Sequence, residues 1–108
     1  MLRPEQVHAI VGNTPYMSLE QGQRMADFIV EYRPRRILEL GFAHGVSTCY
    51  LAAALKSAGG ESVTTIDFEK ARFLQPDIAE LLEACGLSDM VTIYAEPISF
   101  TWRLMKML

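Results

Sequence analysis

The stretch Ile37-Leu38-Glu39-Leu40-Gly41-Phe42-Ala43-His44-Gly45-Val46-Ser47-Thr48 decides the fold. A short apolar run that ends in glycine reads as a buried strand followed by a tight turn. The residues behind it, 46–58, are helix formers and almost wholly apolar, so their helix has to be covered on most sides. Gly59-Gly60 ends that helix as a C-terminal glycine does. Strand, glycine turn and buried helix make the opening of a βαβ unit.

Outward from this stretch the pattern repeats. Ser62–Ile66 is β-branched and apolar, a second strand closed by Asp67. Ile78, Leu81, Leu82 and Cys85 recur at i, i+3, i+4 and i+7, an apolar helical stripe. That helix is expected from Pro76, in its first turn, to Gly86, just past its end. Met90–Ala95 reads as a third strand, and Ile98–Leu108 as a last apolar helix carrying Phe100, Trp102, Leu104 and Met105. Upstream, Gly12-Asn13-Thr14-Pro15 is a turn cluster. Ser18 and Gln21 form a capping-box pair, and Met25, Phe28, Ile29 and Tyr32 share one helical stripe that Pro34 stops. Strands alternating with helices imply right-handed crossovers and a parallel sheet. The expected class is α/β, a Rossmann-like αβα sandwich in one domain, 1–108, with an N-terminal helical segment over 1–34.

Composition agrees with a folded chain: of 108 residues half are hydrophobic and 21% are charged. The net charge of −3 argues against a dedicated nucleic-acid binder. The longest apolar run, Cys49–Leu55, is far short of the roughly 20 residues that cross a bilayer. No apolar core follows a basic start at Met1-Leu2-Arg3, so no secretory signal is read and the cytoplasm is the expected location. Cys49 and Cys85 read as two buried free thiols. No metal is expected, because His8 and His44 stand apart from any acid or Cys at ligand spacing.

A glycine at the strand end lets backbone approach a ligand, and the helix start behind it offers unpaired N–H groups to a carboxylate or phosphate. The competing reading is a plain β-to-α turn. Counting from Gly41, a dinucleotide fingerprint would need glycine at Ala43 and Val46, so NAD and FAD are disfavoured. A P-loop is excluded because no Gly-Lys-Ser/Thr follows. What remains is acid-x-Gly-x-x-x-Gly, with Glu39 suited to a positive amine. Asp67 lies 22 residues past Gly45, near the station of a ribose-binding acid, with capping of the next turn as its bland alternative. Glu69 is its rival for the ribose. Glu96, after the third strand, could accept from an adenine amine or simply be solvated. His44 could serve as a base, against the plainer reading of a solvent-facing loop side chain.

These residues resemble a class I S-adenosylmethionine-dependent methyltransferase, of the small-molecule O-methyltransferase form. Residues 37–48 are similar to its first motif, Val63-Thr64-Thr65-Ile66-Asp67 to its second, and Gly86-Leu87-Ser88-Asp89-Met90-Val91-Thr92-Ile93 to the lead into its third strand. Thr14-Pro15-Tyr16-Met17-Ser18 is similar to the entry segment. The resemblance implies S-adenosyl-L-methionine as cofactor, with Glu39 at the methionine amine and Gly41, Ala43 and Gly45 making room for it. It also implies Ser47 at the methionine carboxylate, Asp67 at the ribose, Phe68 beside the adenine and Glu96 near its amine. Two departures stand out. Ala43 replaces a common glycine, and Ala95-Glu96-Pro97 replaces the usual Gly-Asp-Ala.

The resemblance further implies a sheet of order 3-2-1, cut before a fourth strand, where any base or metal for a small-molecule hydroxyl acceptor would lie. No catalytic residue is assigned for that reason. The final helix has no Gly, Asn or Pro stop, which also reads as truncation. An open edge and a greasy last helix leave an alternative function: a non-catalytic Rossmann-like module that self-associates or pairs with a partner.

Overall fold

The computed structural model describes residues 2–97 and 100–108. In chain order it has α1 Pro4–Val11, α2 Leu19–Tyr32, β1 Arg36–Leu40, α3 Val46–Ser57, β2 Ser62–Phe68, α4 Ile78–Ala84, β3 Val91–Glu96 and α5 Phe100–Met107. Short 3₁₀ turns cover Glu69–Phe73 and Ser88–Met90. The strands pair in parallel, as the βαβ pattern implies, and their order β1-β2-β3 is the one the resemblance implies.

Strand alternation divides the side chains between two faces. Ile37 and Glu39 share a face with Val63 and Thr65, their register partners on β2. This face meets α3, whose residues from Thr48 to Leu55 are all buried. Helix α3 is covered by α1, α2 and α4, so the prediction from its composition holds. Gly22 on α2 allows the close approach, since a Cβ there would lie 2.4 Å from the Tyr50 ring. Cys49 and Cys85 are buried free thiols, as expected. A hydrogen bond with Cys85, then burial, pushes the Cys49 thiol above its ordinary range, which keeps it protonated and inert.

The opposite face is covered only in part. Phe100 of α5 stacks on Phe68, with centroids 5.0 Å apart, and Arg103 lies 4.0 Å over the Tyr94 ring. Leu38 and Leu40 of β1 remain about half exposed, at 47% and 51%. Among the described residues nothing pairs with the outer edge of β1.

Several expectations shift. Within the expected N-terminal helical segment, Pro4–Val11 form a separate first helix whose bounds the sequence did not mark. Asp77, not Pro76, begins α4: its side chain accepts from the Glu80 N–H at 2.8 Å. Strand β2 continues through Asp67 to Phe68, because pairing with β3 extends that far. Strand β3 takes in Glu96, and Met90 belongs to the preceding turn. The expected stripe on α2 splits: Ile29 is buried and Met25 packs against the core, but the other two members face outward. Phe28 and Tyr32 are exposed and stack on each other, while Gly22 and Ile29 are buried, because α1 and α3 approach from the other side. The capping box at Ser18 and Gln21 forms as read. The last helix begins at Phe100, and Ile98 and Ser99 lie outside the described residues.

Candidate cofactor site

The loop between β1 and α3 is built by backbone shape. Gly41 and Gly45 both have φ of 91°, a region that side chains disfavour. A Cβ on Gly45 would lie 2.7–2.9 Å from Ile78, whereas one on Gly41 would meet nothing within 4 Å. Gly45 therefore serves packing against α4, and Gly41 leaves open space at the strand end. Ala43 adopts φ of 48°, which costs about 1–2 kcal/mol for an L residue.

Asp67 holds this shape. Its Oδ2 accepts from the N–H groups of Phe42 at 3.0 Å and Ala43 at 2.8 Å. Its Oδ1 accepts from the N–H of Phe68 at 2.7 Å. Three charge-assisted bonds from one carboxylate offset the strain at Ala43. His44 secures the other side of the loop. Its Nδ1 donates to the Pro76 carbonyl at 2.7 Å, an assignment that follows because a carbonyl can only accept. His44 is half-buried, so neither reading of it as a solvent-facing chain nor as a free base describes its place.

Glu39 lies beneath the loop. The hydroxyls of Thr48 and Thr65 donate to its Oε1, the latter at 2.7 Å, and Ser47 donates to its Oε2 at 2.5 Å. Thr48 and Thr65 are fully buried. A carboxylate has about four acceptor positions, so one remains on Oε2. No side chain caps α3, whose first turn opens beside Glu39. A cavity of 180 Å³ lies here, lined by Tyr16, Met17, Gly41, Phe42, Ala43, Val46 and Ser47.

A larger cavity of 560 Å³ opens past the end of β2, lined by Asp67, Phe68, Glu69, Lys70, Ala71, Leu74 and Pro97. Phe68, Ala71, Leu74 and Pro97 give it an apolar wall for a flat ring. Glu96 is placed differently from a solvated loop acid. It is 5% exposed, and Arg103 Nε donates to its Oε1 at 2.6 Å. Its side chain ties β3 to α5.

The strand ends thus bring Glu39, Gly41, Ala43, Gly45, Ser47, Asp67 and Phe68 to one rim, with Glu96 turned to Arg103. Thr48 and Thr65 were missed by the sequence reading. Thr65 is the register partner of Glu39, a relation that only the sheet supplies. Among the described residues no group of acids, His and Cys could hold a metal ion. None of the described helices is long and apolar enough to cross a membrane.

A parallel sheet with a glycine loop after its first strand and an acid at the end of its second defines a nucleoside-cofactor fold of the Rossmann type. A family model described as a methyltransferase domain matches residues 38–105, and the chain belongs to that family. Solved structures agree with this fold. The O-methyltransferase TomG from Streptomyces achromogenes, involved in tomaymycin synthesis and solved with S-adenosylmethionine, is 25% identical over 97% of this chain, with a TM-score of 0.70. The O-methyltransferase from Bacillus cereus, solved with S-adenosylhomocysteine, is 27% identical over 95%, with a TM-score of 0.69. The Podospora anserina methyltransferase PaMTH1 is similar in fold at 22% identity and a TM-score of 0.70. The chain spans 44%, 47% and 43% of these three, less than half of each. Among curated proteins nothing matches the chain.

Proposed function

We propose that the chain forms the S-adenosylmethionine-binding half of a class I methyltransferase that acts on a hydroxyl of a small-molecule acceptor. One observation carries this reading: Glu39 keeps a single open acceptor position beside the bare Gly41 and the uncapped start of α3. That pairing suits an amino acid's ammonium and carboxylate on one short span. Glu39 takes the ammonium, and the first-turn N–H groups at Val46 and Ser47 take the carboxylate. Ser47 Oγ holds Glu39 in place for this contact. Phe68, Leu74 and Pro97 provide the apolar wall for adenine. Glu96, already held by Arg103, serves the packing of α5 in this reading. When bound, S-adenosylmethionine supplies an electrophilic methyl carbon on its sulfonium. The residues contribute alignment in a closed site, which is the main requirement of such a transfer. The ligands of the Streptomyces and Bacillus structures support the cofactor, and the name O-methyltransferase that both carry supports a hydroxyl acceptor. Two buried free thiols support a reducing compartment, the cytoplasm.

Titration calorimetry with S-adenosylhomocysteine tests the reading. Saturable heat with one site per chain is expected, and its absence overturns the cofactor assignment.

Among the described residues nothing pairs with the outer edge of β1, which favours a second reading, self-association. Leu38 and Leu40 are half exposed beside unpaired strand backbone. Light scattering then gives a dimer that Leu38→Lys returns to monomer. A monomer at every concentration removes this reading.

A further inference from the structure

Two thiols meet in the core, and the cofactor reading uses neither. Cys49 lies on α3, one helical turn past Gly45, and Cys85 is the residue that ends α4. Gly45 packs on Ile78 at the start of α4, so the two helices touch at two levels. Both thiols are free and belong to one core cluster. They differ in access. Cys49 is 0% exposed, whereas Cys85 is 4% exposed and lines a cavity of 390 Å³ together with Leu2, Gln6, Ala53, Gly86 and Leu87. Cys49 donates a hydrogen bond to the Cys85 sulfur, which brings the two sulfurs into contact. This bond holds the Cys85 thiol below its ordinary range while Cys49 stays above its own.

We infer that Cys49 and Cys85 form an oxidation site that closes to a disulfide when a small peroxide enters the cavity beside Cys85. Cys85 attacks as the thiolate, the nucleophilic form of a cysteine. Its sulfur bonds to one oxygen of hydrogen peroxide, the O–O bond breaks, and hydroxide leaves with the proton that Cys85 gave up, as water. A sulfenic acid remains on Cys85. The Cys49 sulfur then bonds to the Cys85 sulfur, the S–O bond breaks, and the departing oxygen takes the Cys49 proton, giving a second water. Two thiols lose two electrons, and one peroxide gains them. Cys49 is sealed from outside reagents and reacts only with its neighbour. The bond ties α3, whose start lies at the candidate cofactor loop, to the end of α4. Disulfides of reducing compartments are typically transient and redox-sensing, so the thiol pair is the resting form. The site stands apart from the cofactor loop and does not depend on the cofactor reading.

The test treats the full chain with hydrogen peroxide and counts free thiols by maleimide labelling after denaturation. Both cysteines are expected to label before treatment, neither after it, and both again after dithiothreitol. Trypsin cuts at Lys56 and Arg72, so the two cysteines fall on separate peptides. Mass spectrometry of the treated monomer is expected to find these peptides joined, about 2 Da lighter than their sum. Cys49→Ala is expected to stop at the sulfenic acid, which dimedone traps on Cys85. Cys85→Ala is expected to keep Cys49 free. The assignment is overturned if both thiols of wild type survive the peroxide, or if they are lost beyond recovery by dithiothreitol. It is also overturned if the bond joins separate chains, if Cys49→Ala takes up no dimedone, or if Cys49 is oxidised as readily in Cys85→Ala as in wild type. Should either variant fail to fold, the thiol count and the joined peptides of wild type decide alone.

Discussion

Gly45→Ala is expected to destabilise the chain by about 2–5 kcal/mol. The left-handed backbone at φ of 91° contributes about 1–2 kcal/mol. The new methyl would lie 2.7 Å from Ile78 Cγ1 and 2.9 Å from its Cα. Overpacking of this kind costs about 1–3 kcal/mol, and backbone cannot move aside as a side-chain tip can. A typical domain has only about 5–15 kcal/mol of stability. At about 4–8 °C per kcal/mol, a melting temperature lower by about 8 °C or more is expected by circular dichroism. Gly41→Ala is the control. It shares the φ of 91° but meets nothing within 4 Å, so only the strain of about 1–2 kcal/mol applies. Its larger effect is expected on S-adenosylhomocysteine binding, because its methyl occupies the open space at the strand end. Equal melting temperatures for the two variants would refute the assignment of Gly45 to packing and Gly41 to the ligand.

Replacing Glu39 is expected to have the largest effect on binding. Glu39→Ala leaves the buried hydroxyls of Thr48 and Thr65 without their acceptor, at about 1–3 kcal/mol each. It also removes the partner of the cofactor's ammonium. Glu39→Gln separates the two losses. Its amide oxygen can still accept from both threonines, and its NH₂ can donate to the Ser47 hydroxyl. The fold is therefore expected to stay within about 1 kcal/mol of wild type. Affinity is expected to fall about tenfold to a hundredfold, the range for losing a hydrogen bond to a charged group. Thermal melting and calorimetry on both variants give the comparison. A Glu39→Gln variant that binds like wild type would rule out the ammonium contact.

Much of the fold was legible because it rests on local patterns. The run 37–41, the apolar helix behind it and the alternation with two more strands define a parallel sheet without any knowledge of contacts. Capping at Ser18 was legible for the same reason, since donor and acceptor lie within one helical turn. The stripe on α2 misled because Phe28 and Tyr32 satisfy the helical period while facing solvent. Periodicity gives the spacing of a face and does not say which neighbour covers it. The 3₁₀ turns and the first helix were too short to show a period.

The candidate site divides along the same line. Sequence by itself determined that an acid, two glycines and a second acid would gather at the ends of adjacent strands, because strand order and connection length place them there. It also set the chemistry on offer, a carboxylate for an amine and a helix start for an anion. Only the tertiary structure decided how each group is committed. Thr65 meets Glu39 through sheet register, Asp67 reaches the loop amides across 24 and 25 residues of chain, and Glu96 meets Arg103 across the sheet face. Hydrogen bonds are short-ranged and directional, so a residue's identity fixes what it can accept, while its place in the fold fixes what it does accept.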